Sequence, residues 1–155
     1  MKKYLTIIIF AVIVGFLLSQ FFMNQYEKKE DLLTIFSRGE KVYLIQQGVY
    51  TSEDNVKKNT MGLDYYVYSI QNDMYYVYIA ITKNVDNIPK IQGYFKNLGY
   101  DTLSKEIYVN NKEFLEILSQ YDNLLLSTSD NDVIKAICSQ TLGKYEELIL
   151  DAYKD

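Results

Sequence analysis

The segments VYLIQQGVYTSEDNV (42–56) and MYYVYIAITKNVDNI (74–88) share one plan: a run of branched and aromatic residues, a polar turn, then a helix start. Tyr43 and Tyr75, Asp54 and Asp86, and Asn55 and Asn87 recur at a spacing of 32 residues. Branched and aromatic runs suit the pleated, half-buried surface of a sheet. A strand leading into a helix, written twice, decides most of what this chain can become.

Continuing along the chain, the pattern predicts strands over 42–50, 64–70, 74–82 and 103–109. Gln71-Asn72-Asp73 is a turn-forming connection that makes a hairpin of the middle two. Ser52 suits the N-cap of a short helix over 53–61, with Glu53 and Asp54 at its positive end and Gly62 to stop it. Asn84 repeats that role, and Pro89 falls in a first turn, where a missing amide costs little. Ile88, Ile91, Phe95 and Leu98 then form one apolar stripe that Gly99 ends. The order is β-α-β-β-α-β. Two amphipathic helices follow, over 112–126 and 130–152, with Ser127-Thr128-Ser129-Asp130 capping the second. Neither would stand alone in water, so they pack on the sheet, on each other or on a partner.

Residues 4–23, YLTIIIFAVIVGFLLSQFFM, carry no charge. A helix of that length, at about 1.5 Å per residue, spans roughly the 30 Å of a hydrocarbon core. A cleaved signal peptide would have a shorter apolar region ending in small residues, and Ser-Gln-Phe-Phe-Met-Asn-Gln offers no such site. Lys2 and Lys3 place the N-terminus in the cytoplasm and residues 24–155 outside. The expected organisation is a cytoplasmic tip and transmembrane helix (1–23), a juxtamembrane linker or helix with Leu32, Leu33 and Phe36 on one side (24–40), a sheet domain (41–110) and a C-terminal helical extension (111–155).

Beyond the apolar run, 14 basic residues face 20 acidic ones. That balance argues against nucleic acid, which demands a positive footprint, and against a polybasic grip on lipid. The chain has no histidine, which removes histidine-dependent zinc sites and Ser-His or Cys-His nucleophiles. Cys138, the single cysteine, has Ile134 and Ile137 beside it on the helix and reads as a small buried apolar residue rather than a reactive thiol. The carboxylates are scattered without positional signal. No enzyme, cofactor or metal is expected.

With these residues in place, the layout resembles the SPOR family (the sporulation-related repeat), domains with which bacteria bind peptidoglycan. Family members open with an aromatic-x-V-Q-x-G-x-F strand leading to a helix near Asn-Ala. Tyr43-Leu44-Ile45-Gln46-Gln47-Gly48-Val49-Tyr50 stands in that frame, and Asn55-Val56 stands for Asn-Ala. In the third strand the family has aromatic-R-V-x-V-G-P-F. Here Tyr76 replaces the basic residue, Ala80 the glycine, and Ile81-Thr82 the Pro-Phe. The resemblance covers roughly residues 41–110. It implies an α+β fold: a four-stranded antiparallel sheet with helices on one face and an open face that holds glycan strands stripped of their stem peptides.

Alternation along the strands then sorts the side chains. Tyr75, Val77, Ile79 and Ile81 are expected to face the helices, leaving Tyr76, Tyr78 and Ala80 on the open face with Leu44, Gln46 and Gly48. Tyr66 and Tyr68 are assigned to the open face as the larger set of their strand. A tyrosine offers a flat apolar body and a polar tip to a sugar, and an amide both donates and accepts. Gln46, Tyr66, Tyr68, Tyr76 and Tyr78 are therefore the candidate glycan-binding residues. The alternative for each tyrosine is cross-strand packing. Two functions are open: a membrane-anchored, extracytoplasmic peptidoglycan-binding module in cell division or sporulation, or a scaffold in the cell envelope whose sheet binds no glycan and whose residues 112–152 meet a protein partner.

Overall fold

The computed structural model describes residues 39–152. The apolar run 4–23 and all of the expected 24–40 linker except its last two residues lie outside them; among the described residues no helix is long and apolar enough to cross a membrane.

The fold is α+β. Strands β1 (Glu40–Tyr50), β2 (Val67–Gln71), β3 (Met74–Thr82) and β4 (Leu103–Val109) form one sheet in the order β2-β3-β1-β4. Every neighbouring pair is antiparallel. Helix α1 (Glu53–Asn59) connects β1 to β2, and α2 (Ile88–Asn97), entered through a 3-10 turn at Val85–Asn87, connects β3 to β4. The chain finishes with α3 (Lys112–Ser127) and α4 (Asn131–Ala152).

Local chemistry explains the boundaries. The Ser52 hydroxyl accepts from the Asn55 amide at 3.3 Å, and Asn84 Oδ1 accepts from the Asp86 amide at 2.9 Å, so both expected caps are used. Asn72 and Asp73 sit at φ 50° and 58°, the left-handed pair a two-residue hairpin of primed type requires. Gly99, at φ +90°, ends α2; the Tyr100 amide donates to Phe95 O and the Gly99 amide to Lys96 O, a closure that suits a residue without Cβ. β2 starts at Val67 rather than at 64. Asp64 is held by Lys135 and the Tyr65 hydroxyl donates to Glu146, so this stretch is committed to α4 instead of the ladder.

One core cluster joins Ile45, Val77, Ile79 and Ala80 of the sheet to Val56 of α1 and to Ile91 and Phe95 of α2. Leu125 of α3 and Ile134, Ile137 and Cys138 of α4 belong to the same cluster. The terminal helices therefore pack on the sheet domain and on each other, with Phe114 and Tyr145 rings 6.0 Å apart. Two polar fastenings hold them there. The buried Asp122 carboxylate accepts from the Thr82 hydroxyl, from the Lys83 amide at 2.8 Å and the Asn84 amide at 3.1 Å, and from Asn87 Nδ2 at 3.1 Å. Lys90 Nζ donates to the Leu125, Leu126 and Thr128 carbonyls at 2.6, 2.9 and 2.7 Å. A cation at a helix C-terminus satisfies carbonyls that have no partner within the helix.

Cys138 is 3% exposed, and burial, helped by the Asp122 charge, pushes its thiol up to about 12. The folded state holds this proton more tightly than the unfolded chain, whose thiol titrates near 9.0. Its contribution to stability is thus complete below pH 9 and is lost as pH rises from about 9 towards 12. A thiol-specific reagent at pH 8 is expected to leave Cys138 unmodified until denaturant is added. Full modification of the native protein within minutes would refute the burial.

Candidate ligand-binding face

Directly opposed residues of adjacent strands share a face, so the pairing register assigns each side chain. It differs from simple alternation at two places. Between Ile45 and Gly48 the β1–β3 register shifts twice, leaving Ile79 and Gln47 as extra residues. An extra residue reverses which way the remainder of its strand points. Ala80 consequently lies opposite Ile45, and both join the helix-side core together with Ile79. Ile81, expected on the helix side, lies instead opposite Leu44 on the other side. Gly48, expected on the open face, pairs with Val77 on the helix side. There the Tyr50 ring lies across it: a Cβ at Gly48 would come within 2.6 Å of the Tyr50 hydroxyl.

Tyr66 and Tyr68 also depart from their expected side. Tyr68 is opposite Val77 and Tyr66 packs against the core cluster, both towards the helices. The Tyr68 ring lies 5.4 Å from that of Tyr75, and partial burial followed by the nearby Glu53 raises its phenol. The physical reason is plain: the larger apolar set of β2 was the one drawn towards the core. Cross-strand and core packing account for these two tyrosines.

Gln46, Tyr76 and Tyr78 do share the side away from α1 and α2. Gln46 opposes Tyr78 and Leu103, and Tyr78 opposes Val67 on the next strand. Tyr76 opposes Val49 on β1 and Ser69 on β2. This face has two halves. Towards the start of β1, Val42, Leu44, Ile81, Ile107 and Val109 are buried, and so is Tyr78 at 5% exposure. Burial raises the Tyr78 phenol, and a hydrogen bond with Ser69 works in the other direction. Towards the end of β1, Gln46 and Tyr76 are half-buried, Val49 is exposed, and Leu103 is 69% exposed. The accessible patch is therefore smaller than expected and centred on Gln46 and Tyr76.

Sequence reading missed one member. Lys105 pairs in register with Leu44, so it projects on this same face, and its Nζ lies 5.3 Å from the Tyr76 ring centroid. Because β1 separates β4 from β3, the side chain spans β1 to reach that ring. The alternation Leu103, Lys105, Ile107, Val109 in β4 carried the signal, but only the β1–β4 register shows what Lys105 meets. The patch can stack a flat apolar surface, exchange amide hydrogen bonds and offer one positive charge.

On the helix side, a cleft of about 120 Å³ is floored by Ile79 and Phe95, walled by Tyr94 and rimmed by the Asp64–Lys135 pair. It is small beside the roughly 300–1,000 Å³ of ordinary ligand pockets. Among the described residues, no three His, Cys, Asp or Glu side chains are grouped to hold a metal ion.

No protein-family model matches the chain, and no curated protein matches it. Among solved structures, a similarity is found to the solution structure of the peptidoglycan binding domain of the B. subtilis cell wall lytic enzyme CwlC. It has a TM-score of 0.38 and 20% identity, over 45% of this chain and 94% of that one.

Proposed function

We propose that this chain is a non-enzymatic, extracytoplasmic module, tethered by residues 4–23, that holds glycan strands of peptidoglycan on the Gln46–Tyr76 patch during cell division or sporulation. The observation that carries the reading is the strand order β2-β3-β1-β4 with its register, which sets Gln46 and Tyr76 on one half-open sheet surface; among the described residues, the strand positions at its exposed end carry no carboxylate. The frame Tyr43–Tyr50 with Asn55-Val56, which resembles the SPOR family, supports it from sequence.

The test is co-sedimentation of the full chain, in detergent micelles, with sacculi stripped of stem peptides. Retention is expected, and Gln46→Ala combined with Tyr76→Ala is expected to lower it about tenfold, the size of one lost aromatic platform and its hydrogen bond. Wild-type protein that stays in the supernatant would end the glycan reading. The burial of Leu44 and Tyr78 favours a second reading, in which the sheet is chiefly structural and the chain is an envelope scaffold. Crosslinking that captures one membrane-protein partner, without sacculus binding, selects that reading.

A further inference from the structure

The charge on the candidate face is not balanced within it. Of the strand residues that the register places on this side, two are charged, Glu40 and Lys105. Glu40 is paired with Lys83. Elsewhere Lys41, Lys57, Lys135 and Lys144 each meet a carboxylate and Lys90 caps three carbonyls, whereas Lys58, Lys96 and Lys112, on helices rather than on this face, make no ion pair among the described residues. No carboxylate pairs with Lys105 among the described residues; its ammonium rests over the Tyr76 ring. A chain with net charge −4 places this cation where a ligand would meet it.

We infer that Lys105 reads a carboxylate on the ligand, so that the face selects polysaccharide with free acid groups over neutral polysaccharide of the same backbone. The inference rests on the glycan reading and sharpens it. In peptidoglycan every muramic acid carries a lactyl ether. When a stem peptide is attached, that carboxyl is a neutral amide; when the peptide is gone, it is an anion. The carboxylate can take a charge-assisted hydrogen bond from an ammonium, stronger than a neutral one. Tyr76 holds the ammonium over the patch, beside Gln46 and the exposed Leu103. The net-acidic domain repels a polyanion at long range, so recognition depends on this local contact and weakens with salt.

The full chain in detergent micelles is titrated onto three solids: peptide-stripped sacculi, the same sacculi with their carboxylates converted to methylamides, and chitin. Wild-type protein is expected to bind stripped sacculi at least tenfold more tightly than either neutral solid. Lys105→Gln is expected to erase that preference, and Lys105→Arg to keep most of it, with unchanged melting temperatures in both. If Lys105→Gln binds all three solids as wild type does, the carboxylate role falls while the glycan reading stands. If wild-type protein binds none of them, both fall together.

Discussion

A chain ending at Asn111 is expected to lose cooperative folding altogether. The reason lies in where the core sits. Leu125, Ile134, Ile137 and Cys138 are part of the cluster built on Ile45, Val77 and Ala80. Leu118 and Leu142, fully buried, leave with the same truncation. Burying one such side chain is worth about 1.5–3 kcal/mol. Losing several at once removes as much as the roughly 5–15 kcal/mol of net stability a domain possesses. What remains would expose Ile79, Ala80 and Phe95, the surface that α3 and α4 had covered. Denaturant titration followed by circular dichroism makes the comparison. The intact chain should show one sharp transition and the truncated one a broad, shallow drift. A truncated chain that melts as sharply as the intact one, within a few degrees, would mean that the sheet module is self-sufficient.

Asp122→Ala is expected to cost about 3–5 kcal/mol, close to the limit for a single substitution. The carboxylate is 5% exposed, and its donors come from the opposite side of a helix–sheet junction. Removing it strands the Lys83 amide, leaves the Asn84 amide only the Thr82 hydroxyl at 3.2 Å, and takes one of two bonds from the side chain of the fully buried Asn87, whose Nδ2 keeps the Asp122 carbonyl at 3.1 Å. Each buried donor without a partner costs about 1–3 kcal/mol. Asp122→Asn keeps the volume but turns an amide towards donors, so it should recover only part of the loss. In thermal melts the alanine variant is expected to fall by roughly 10 °C or more for a domain of this size. A shift of under 2 °C would show that the junction is held by apolar contact alone.

These results bear on how much a sequence of this kind discloses. β3 and β4 were legible to the residue, and β1, α3 and α4 to within two. Caps at Ser52 and Asn84 could be named, and the cap of the last helix placed within 127–130, where Asp130 fills it, because capping needs only a side chain and an amide two or three residues away. The same locality let Cys138 be placed in the interior. The candidate face was harder. Gln46 and Tyr76 stand on it as expected, but Tyr66 and Tyr68 turn to the helices, and Lys105 was not foreseen. The repeat put Gly48 on the wrong side, and its two copies differ in detail. Asn55 is exposed and bonds Thr51, whereas its counterpart Asn87 is buried against Asp122.

The sequence by itself determined the element order, the helix ends and the chemical character of each strand, because these depend on neighbours a few residues apart. Tertiary structure alone decided the direction in which the side chains of β1 and β3 point. Two extra residues, Ile79 and Gln47, shift a ladder whose partners lie 25 to 39 positions apart. It decided too that α3 and α4 complete the core, through Asp122, Lys90 and Leu125, contacts that span 35 residues or more. Facing and docking are settled by pairing register and burial between distant segments, and no local pattern encodes either.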